Sequence, residues 1–262
     1  MEVLLEVALE NFIFFLVILV RITGLFVAAP VFGRNNIPMR LKVGFSFFLA
    51  LIFTNIVDRS EVFVNSSVFE FFLILIKEFL IGIIIGYVSF LFFTSIYLTG
   101  QIIDMQIGFS MANIYDPASN IQIPLTANFY FIMSTVVFLI IRGHHLLIQG
   151  IFESYKSIPI GRAIIDSSLT EIFVEIFGSI FVTGFKIAAP VTVSILIVDL
   201  FLGILSKTVP QLNVFIVGMP LKIFLGLALV MITIPAFILL LDGLFNDMWS
   251  IVLRFIREMG NG

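Results

Sequence analysis

Apolar residues run through this chain in blocks, and most polar residues fall between them. A helix crossing the hydrocarbon core of a bilayer needs about 20 mostly apolar residues. Residues 11–33 form the first such block, with Arg21 inside it and Pro30 marking a bend or an end. A short basic connection (33–42) leads to an apolar run over 43–57 that is short for a full crossing. Polar residues 58–67 then precede a long run over 68–99, interrupted only by the adjacent Lys77 and Glu78. That run predicts either one long tilted helix or two helices joined at the charged pair. Gly82 and Gly86 sit at the GxxxG spacing that lets helices approach closely.

Beyond residue 124 the blocks resume. Residues 125–141 are apolar, 142–145 read Arg-Gly-His-His, and 146–152 are apolar again. A polar connection over 153–171 follows, then an apolar run over 172–205 with Lys186, Pro190 and Asp199 embedded. Residues 207–210 mark a break, and 211–241 are apolar around Lys222, with Pro220 and Pro235. The tail differs. Leu244, Met248, Ile251, Val252, Phe255 and Met259 recur at helical spacing, while Asp247, Ser250, Arg254, Arg257 and Glu258 occupy much of the other side. This period predicts an amphipathic helix over 242–262, appended to one helical domain over 1–241. Such a helix lies on a membrane surface or docks on a partner. The count is five to seven helical segments.

The stretch that breaks the pattern is 100–124, GQIIDMQIGFSMANIYDPASNIQIP. It has no Lys or Arg and only two acids, Asp104 and Asp116, among interleaved Gln, Asn, Ser, Met and Phe. It is too polar for lipid and too uncharged for an ordinary solvated loop. Irregular backbone at membrane depth is tolerated where it is buried in protein or lines a wet pathway, so one of those two settings is expected.

Composition settles the class. The 262 residues are 60% hydrophobic and 12% charged, with mean hydropathy +1.19. A soluble domain carries about 25% charged residues, so this chain lacks the polar groups to cover a water-facing surface. It reads as an all-α integral membrane protein. The net charge of −3 and the absence of a basic stripe with interleaved aromatics argue against nucleic-acid binding. There are no cysteines, which excludes disulfides and thiol chemistry. The N-terminus carries Glu2, Glu6 and Glu10 without an early Lys or Arg, unlike a cleaved secretory signal, and is expected to be retained. Positive-inside counting gives no consistent alternation, because Arg142, Lys156 and Arg162 fall on the side that should be outer. Either one run is a re-entrant hairpin or the helices do not all cross.

Six charges lie within apolar runs: Arg21, Lys77, Glu78, Lys186, Asp199 and Lys222. A charge at the bilayer centre costs about 2.5–3.5 kcal/mol on insertion scales, so it faces protein or water. One reading is an ion or proton relay. The other is a set of buried pairs and snorkelling helix-end residues, favoured by the excess of Lys over acids. His144-His145 invites a metal site, but adjacent helical residues point about 100° apart and no further ligand completes a set, so no metal is expected. No catalytic triad, phosphate loop or other catalytic constellation stands out, and neither an enzyme nor a cofactor is expected.

Four ordered blocks carry a family resemblance across essentially the whole chain. RITGLFVAAPVFGRNNIPMRLKVGFS, the 100–124 stretch with its Asp-Pro-Ala-Ser, GHHLLIQGIFESYKSIPIG, and PQLNVFIVGMPLKI resemble the FliR family of type III export proteins. The related injectisome subunit is the nearest relative to distinguish; the Asp-Pro-Ala-Ser block and the length favour the flagellar one. The resemblance implies a non-enzymatic subunit, one copy per hetero-oligomer, in the bacterial inner membrane at the flagellar basal body. FliP-like, FliQ-like and FlhB-like subunits would be its partners, and unfolded axial proteins its transient cargo. It implies kinked helical hairpins assembling into a helical gate, with the six charges buried at interfaces. It also implies a pore plug at the central stretch, formed by Met105, Gly108, Phe109, Ser110, Met111, Ala112, Asn113 and Ile114, with Asp116 and Pro117 as the turn after it. Those residue types suit the role: methionine adapts to varied surfaces, apolar bulk keeps a narrow pore dry, and glycine frees the backbone. The alternative is that they pack a core between helices. A second functional class, a secondary transporter for a small solute or ion, would call for inverted repeats, and no convincing internal symmetry is present.

Overall fold

The computed structural model describes residues 2–33, 37–58, 67–109, 124–164, 166–211 and 213–260. Among them are seven helices: α1 (Glu2–Ala28), α2 (Met39–Phe53), α3 (Val68–Ile107), α4 (Leu125–Ile140), α5 (Gly143–Ser157), α6 (Ser167–Thr208) and α7 (Val214–Gly260). The described chain contains no strand. Three helices are long and apolar enough to cross a membrane: Leu4–Ala28, Ser167–Thr208 and Ile216–Gly260. The pair α4 and α5 passes the same test jointly, with a 67° bend between its members.

Local chemistry sets several ends. Helix α1 stops at Ala28, two residues before Pro30, because proline disfavours helical backbone in the residue that precedes it. The bend between α4 and α5 falls at Arg142, whose φ of 60° is left-handed, a conformation that terminates a helix. The run over 68–99 is one helix, not two. Helix α3 passes through Lys77 and Glu78 without a break and continues through the first eight residues of the central stretch, as far as Ile107. Pro190, Pro220 and Pro235 all lie inside helices. Helices α6 and α7, at 42 and 47 residues, represent about 63 and 70 Å of helical rise, roughly twice the hydrocarbon thickness.

The chain forms two compact units. The first comprises Met1–Leu91, Ile141–Glu175 and Phe245–Gly262; the second comprises Phe92–Ile140 and Ile176–Leu244. In the first, α1 and α3 meet through facing glycines. A Cβ on Gly82 would run into the Arg21 carbonyl, and one on Gly24 into the Phe79 carbonyl. Backbones this close form only where side chains are absent, which is the physical content of the Gly82/Gly86 spacing. The amphipathic stripe near the C-terminus is the last part of α7, continuous with the apolar part before it. Its apolar side is covered by its own chain: Met248, Val252, Phe255 and Met259 are buried, Phe255 packs on Phe173, and the Ile164 amide donates to the Met259 carbonyl. Arg254, on its polar side, pairs with Glu175.

In the second unit, Gly100 sits directly against the backbone of Ala127, where a Cβ has no room. Tyr130 meets Phe237 edge-on, and Phe93 packs on Phe131 and Phe138. The Thr99 hydroxyl donates to the Gly184 carbonyl, tying α3 to α6.

These close approaches have a measurable cost. Gly82→Ala is expected to destabilise the detergent-purified protein by about 1–3 kcal/mol, the usual price of overpacking. Gly178→Ala, where an added Cβ meets nothing within 4 Å, should be neutral or stabilise by up to about 1 kcal/mol. Thermal unfolding followed by circular dichroism distinguishes the two.

Candidate functional site

Buried charge in an apolar protein must be satisfied on every side, and three polar nodes meet this demand. The first centres on Arg21. Its side chain and that of Glu78 are both 0% exposed, with Arg21 Nε 2.6 Å from Glu78 Oε2. Arg21 Nη1 donates to Ser154 Oγ at 3.0 Å, Nη2 donates to the Ile158 carbonyl at 3.4 Å, and the guanidinium lies 4.0 Å from the centre of the Tyr155 ring. Glu78 Oε1 accepts from the Gly161 amide at 2.9 Å. Lys77, the exposed neighbour of Glu78 on α3, donates to the Gly161 carbonyl at 3.4 Å. The adjacent charges that interrupt the 68–99 run therefore both close on one residue. Gly161, at φ +74°, has the turn conformation that presents both its amide and its carbonyl.

The second node is Asp104, 3% exposed near the end of α3. Its Oδ1 accepts from the Thr126 amide at 2.9 Å, and its Oδ2 accepts from the Thr126 and Ala127 amides at 3.1 and 3.2 Å. The first amides of a helix lack partners within it, so Asp104 caps α4 from another helix. The two ends of the central stretch are thereby joined at their base. Sequence reasoning noted Asp104 as one of two acids but gave it no role. The partner amides lie more than twenty positions away, and capping signatures are legible only at short spacing.

The third node joins α3, α6 and α7. Lys222 Nζ lies 2.8 Å from Asp199 Oδ1 and 3.0 Å from Oδ2, and Gln106 Nε2 donates to Oδ2 at 3.4 Å. The Lys222 and Asp199 side chains are 21% and 38% exposed. They border an open cavity of about 660 Å³, lined also by Met105, Gly108, Leu202 and Met219. Met105 is 71% exposed and Phe109 half-buried, and Gly108 turns out of α3 with φ +103°. Ser110, Met111, Ala112, Asn113, Ile114, Asp116 and Pro117 lie outside the described residues.

Of the six charges within apolar runs, the structure brings Arg21 to Glu78 and Asp199 to Lys222, and places Lys77 on a backbone carbonyl. Lys186 is exposed and has no ion-pair or hydrogen-bond partner among the described residues. His144 and His145 touch edge to face, and no cluster of three metal-ligating side chains occurs among the described residues.

Comparison with known proteins supplies the context for this geometry. Residues 12–248 match the family model described as "Bacterial export proteins, family 1". The chain is 34% identical to the flagellar biosynthetic protein FliR of Bacillus subtilis (strain 168), over 88% of this chain and 90% of the relative. This chain belongs to the FliR family of bacterial export proteins. The FliR proteins of Escherichia coli (strain K12) and Aquifex aeolicus (strain VF5) are 28% and 29% identical, each aligned over 92% of its own length and over 92% and 91% of this chain. As a FliR-family member the chain is a membrane-embedded component of the flagellar export apparatus, a family defined by export and not by a known enzymatic activity.

The nodes differ in what their loss should do. Arg21→Met leaves Glu78 buried and unpaired and is expected to cost about 3–5 kcal/mol, while Arg21→Met/Glu78→Met should recover part of that loss. A denaturation series on the two variants and on Glu78→Met measures the coupling. Asp104→Ala should cost about 1–2 kcal/mol and accelerate hydrogen exchange at the Thr126 and Ala127 amides. Asp104→Asn, which keeps an accepting oxygen, should fall between it and the native protein.

Proposed function

We propose that this chain is one subunit of the flagellar protein export gate, forming with FliP-like and FliQ-like partners a gated conduit for unfolded axial proteins. It is present as one copy, beside an FlhB-like subunit, in the bacterial inner membrane at the base of the flagellum. One observation carries the need for neighbours. Exposed large apolar side chains on α6 extend from Val174 to Leu205, about 46 Å of helix. Even at 40° tilt, the upper end of the range for membrane helices, they span about 36 Å, more than the roughly 30 Å of hydrocarbon available. Lipid alone cannot cover them, so other protein does.

Within that assembly the central stretch serves as the plug. Met105, Gly108 and Phe109 begin it beside the Asp199–Lys222 pair, and Ser110, Met111, Ala112, Asn113 and Ile114 continue it, with Asp116 and Pro117 forming the turn that follows. Two features support this reading. The buried Asp104 joins the base of the stretch, so its two ends are held together. The stretch also begins at a cavity wide enough for side chains to move. A polypeptide conduit needs a closure of this kind, anchored at its ends and adaptable in its middle.

Deleting residues 108–113 in the native host is the test. The expected result is increased leakage of ions and small dyes with the partner complex still assembled. A tight membrane with the complex lost would assign the stretch to packing. An unchanged membrane with normal export of hook and filament proteins would overturn the plug.

A further inference from the structure

Lys186 is the only charged residue between Glu175 and Asp199 on α6. Those two flanking charges lie about 16 and 20 Å away along the helix, far beyond the reach of a four-carbon stem. The side chain therefore cannot snorkel to the polar ends of its own segment. It is exposed on an apolar face that also presents Val182, 52% exposed one turn before it, Phe185, and Val193 two turns beyond. No acid among the described residues reaches it, although two of the other three cations within apolar runs, Arg21 and Lys222, each have a carboxylate within 3 Å.

The backbone adds a second unmet demand at the same residue. Pro190 stands four residues later inside α6, and proline has no N–H. The Lys186 carbonyl thus loses the helical hydrogen bond that residue 190 would otherwise supply. The cation is presented from an apolar surface with a small residue, Gly178, two turns before it and open space around that glycine. Exposed to hydrocarbon, the cation is costly; against a helix that presents an acid, it is satisfied.

We infer that Lys186 is an assembly contact, taking a carboxylate side chain from an apolar helix of a different subunit of the export complex. This rests on the export-gate reading above and names the chemistry of one contact within it. Charge complementarity selects the occupant: one uncompensated cation in an otherwise uncharged face calls for one acid, with apolar residues around it. A second copy of this chain would bring Lys186 against the same uncharged face and leave the cation unmet unless another of its segments supplied an acid.

The test is made in the native host with the full complex. Lys186→Met and Lys186→Glu are expected to reduce recovery of the partner subunits with this chain at least about tenfold, with Lys186→Glu the more severe and Lys186→Arg close to native. The isolated variants should unfold at the native temperature in detergent, because Lys186 makes no hydrogen bond or ion pair among the described residues of its own chain. A photo-crosslinker at Val182 should yield an adduct with a different membrane subunit. Motile suppressors of Lys186→Glu should replace an acid by Lys or Arg in an apolar helix of that subunit. Native-level assembly by Lys186→Met would overturn the inference, as would an adduct with a second copy of this chain or a suppressor at Asp116 of this chain. Failure of the unaltered chain to recover any partner subunit would instead overturn the export-gate reading itself.

Discussion

The ion pair between Arg21 and Glu78 is the constraint on which the first unit depends. Taking two full charges out of water costs several kcal/mol per ion, and their attraction offsets that only if the remaining donors and acceptors are also satisfied. Here they are satisfied by two consecutive pieces of chain: Ser154 and Tyr155 from α5, and the Ile158 carbonyl and Gly161 amide from the turn after it. A pair so demanding permits few arrangements of α1, α3 and α5. The facing glycines follow from it. Arg21 and Glu78 meet at 2.6 Å beside the point where the Arg21 carbonyl lies against Gly82, so the helices must approach at backbone contact.

In the second unit, charged and capping groups find partners by different means. Asp104 satisfies the first amides of α4 and is satisfied by them. Lys222 and Asp199 neutralise one another with Gln106 alongside. Serine and threonine hydroxyls within the helices return to carbonyls three or four residues earlier, as Ser89, Ser134 and Thr135 do. Charges needed to hold the chain together have partners within it. The long exposed apolar faces of α6 and α7 look outward instead, as befits one member of a larger export apparatus.

Helix length explains why topology could not be counted from hydropathy. Counting assumes that one apolar block equals one crossing. Helices of 42 and 47 residues exceed a crossing, whereas α2 falls short of one and α4 with α5 reach it only as a bent pair. The basic residues then no longer mark alternate sides. Prolines within α6 and α7 add to the difficulty. In water they would argue for helix ends, but at three positions here the helix continues through them.

The sequence by itself determined the class, the helical segments and the family. Those follow from composition, from periodicity and from ordered local motifs, all properties of neighbouring residues. It also marked the charges at Arg21, Lys77, Glu78, Asp199 and Lys222 as positions needing partners. Only the tertiary structure decided which partners they have, because Arg21 with Glu78, and Asp104 with Thr126, lie too far apart along the chain to leave any spacing to read. It likewise decided that 68–107 is one helix, since Lys77 and Glu78 are tolerated there through Gly161, more than eighty positions away. The amphipathic stripe near the C-terminus makes the same point. Its period was legible, but a helical period states only that one face needs cover, and packing against α5 and α6 is what supplied it.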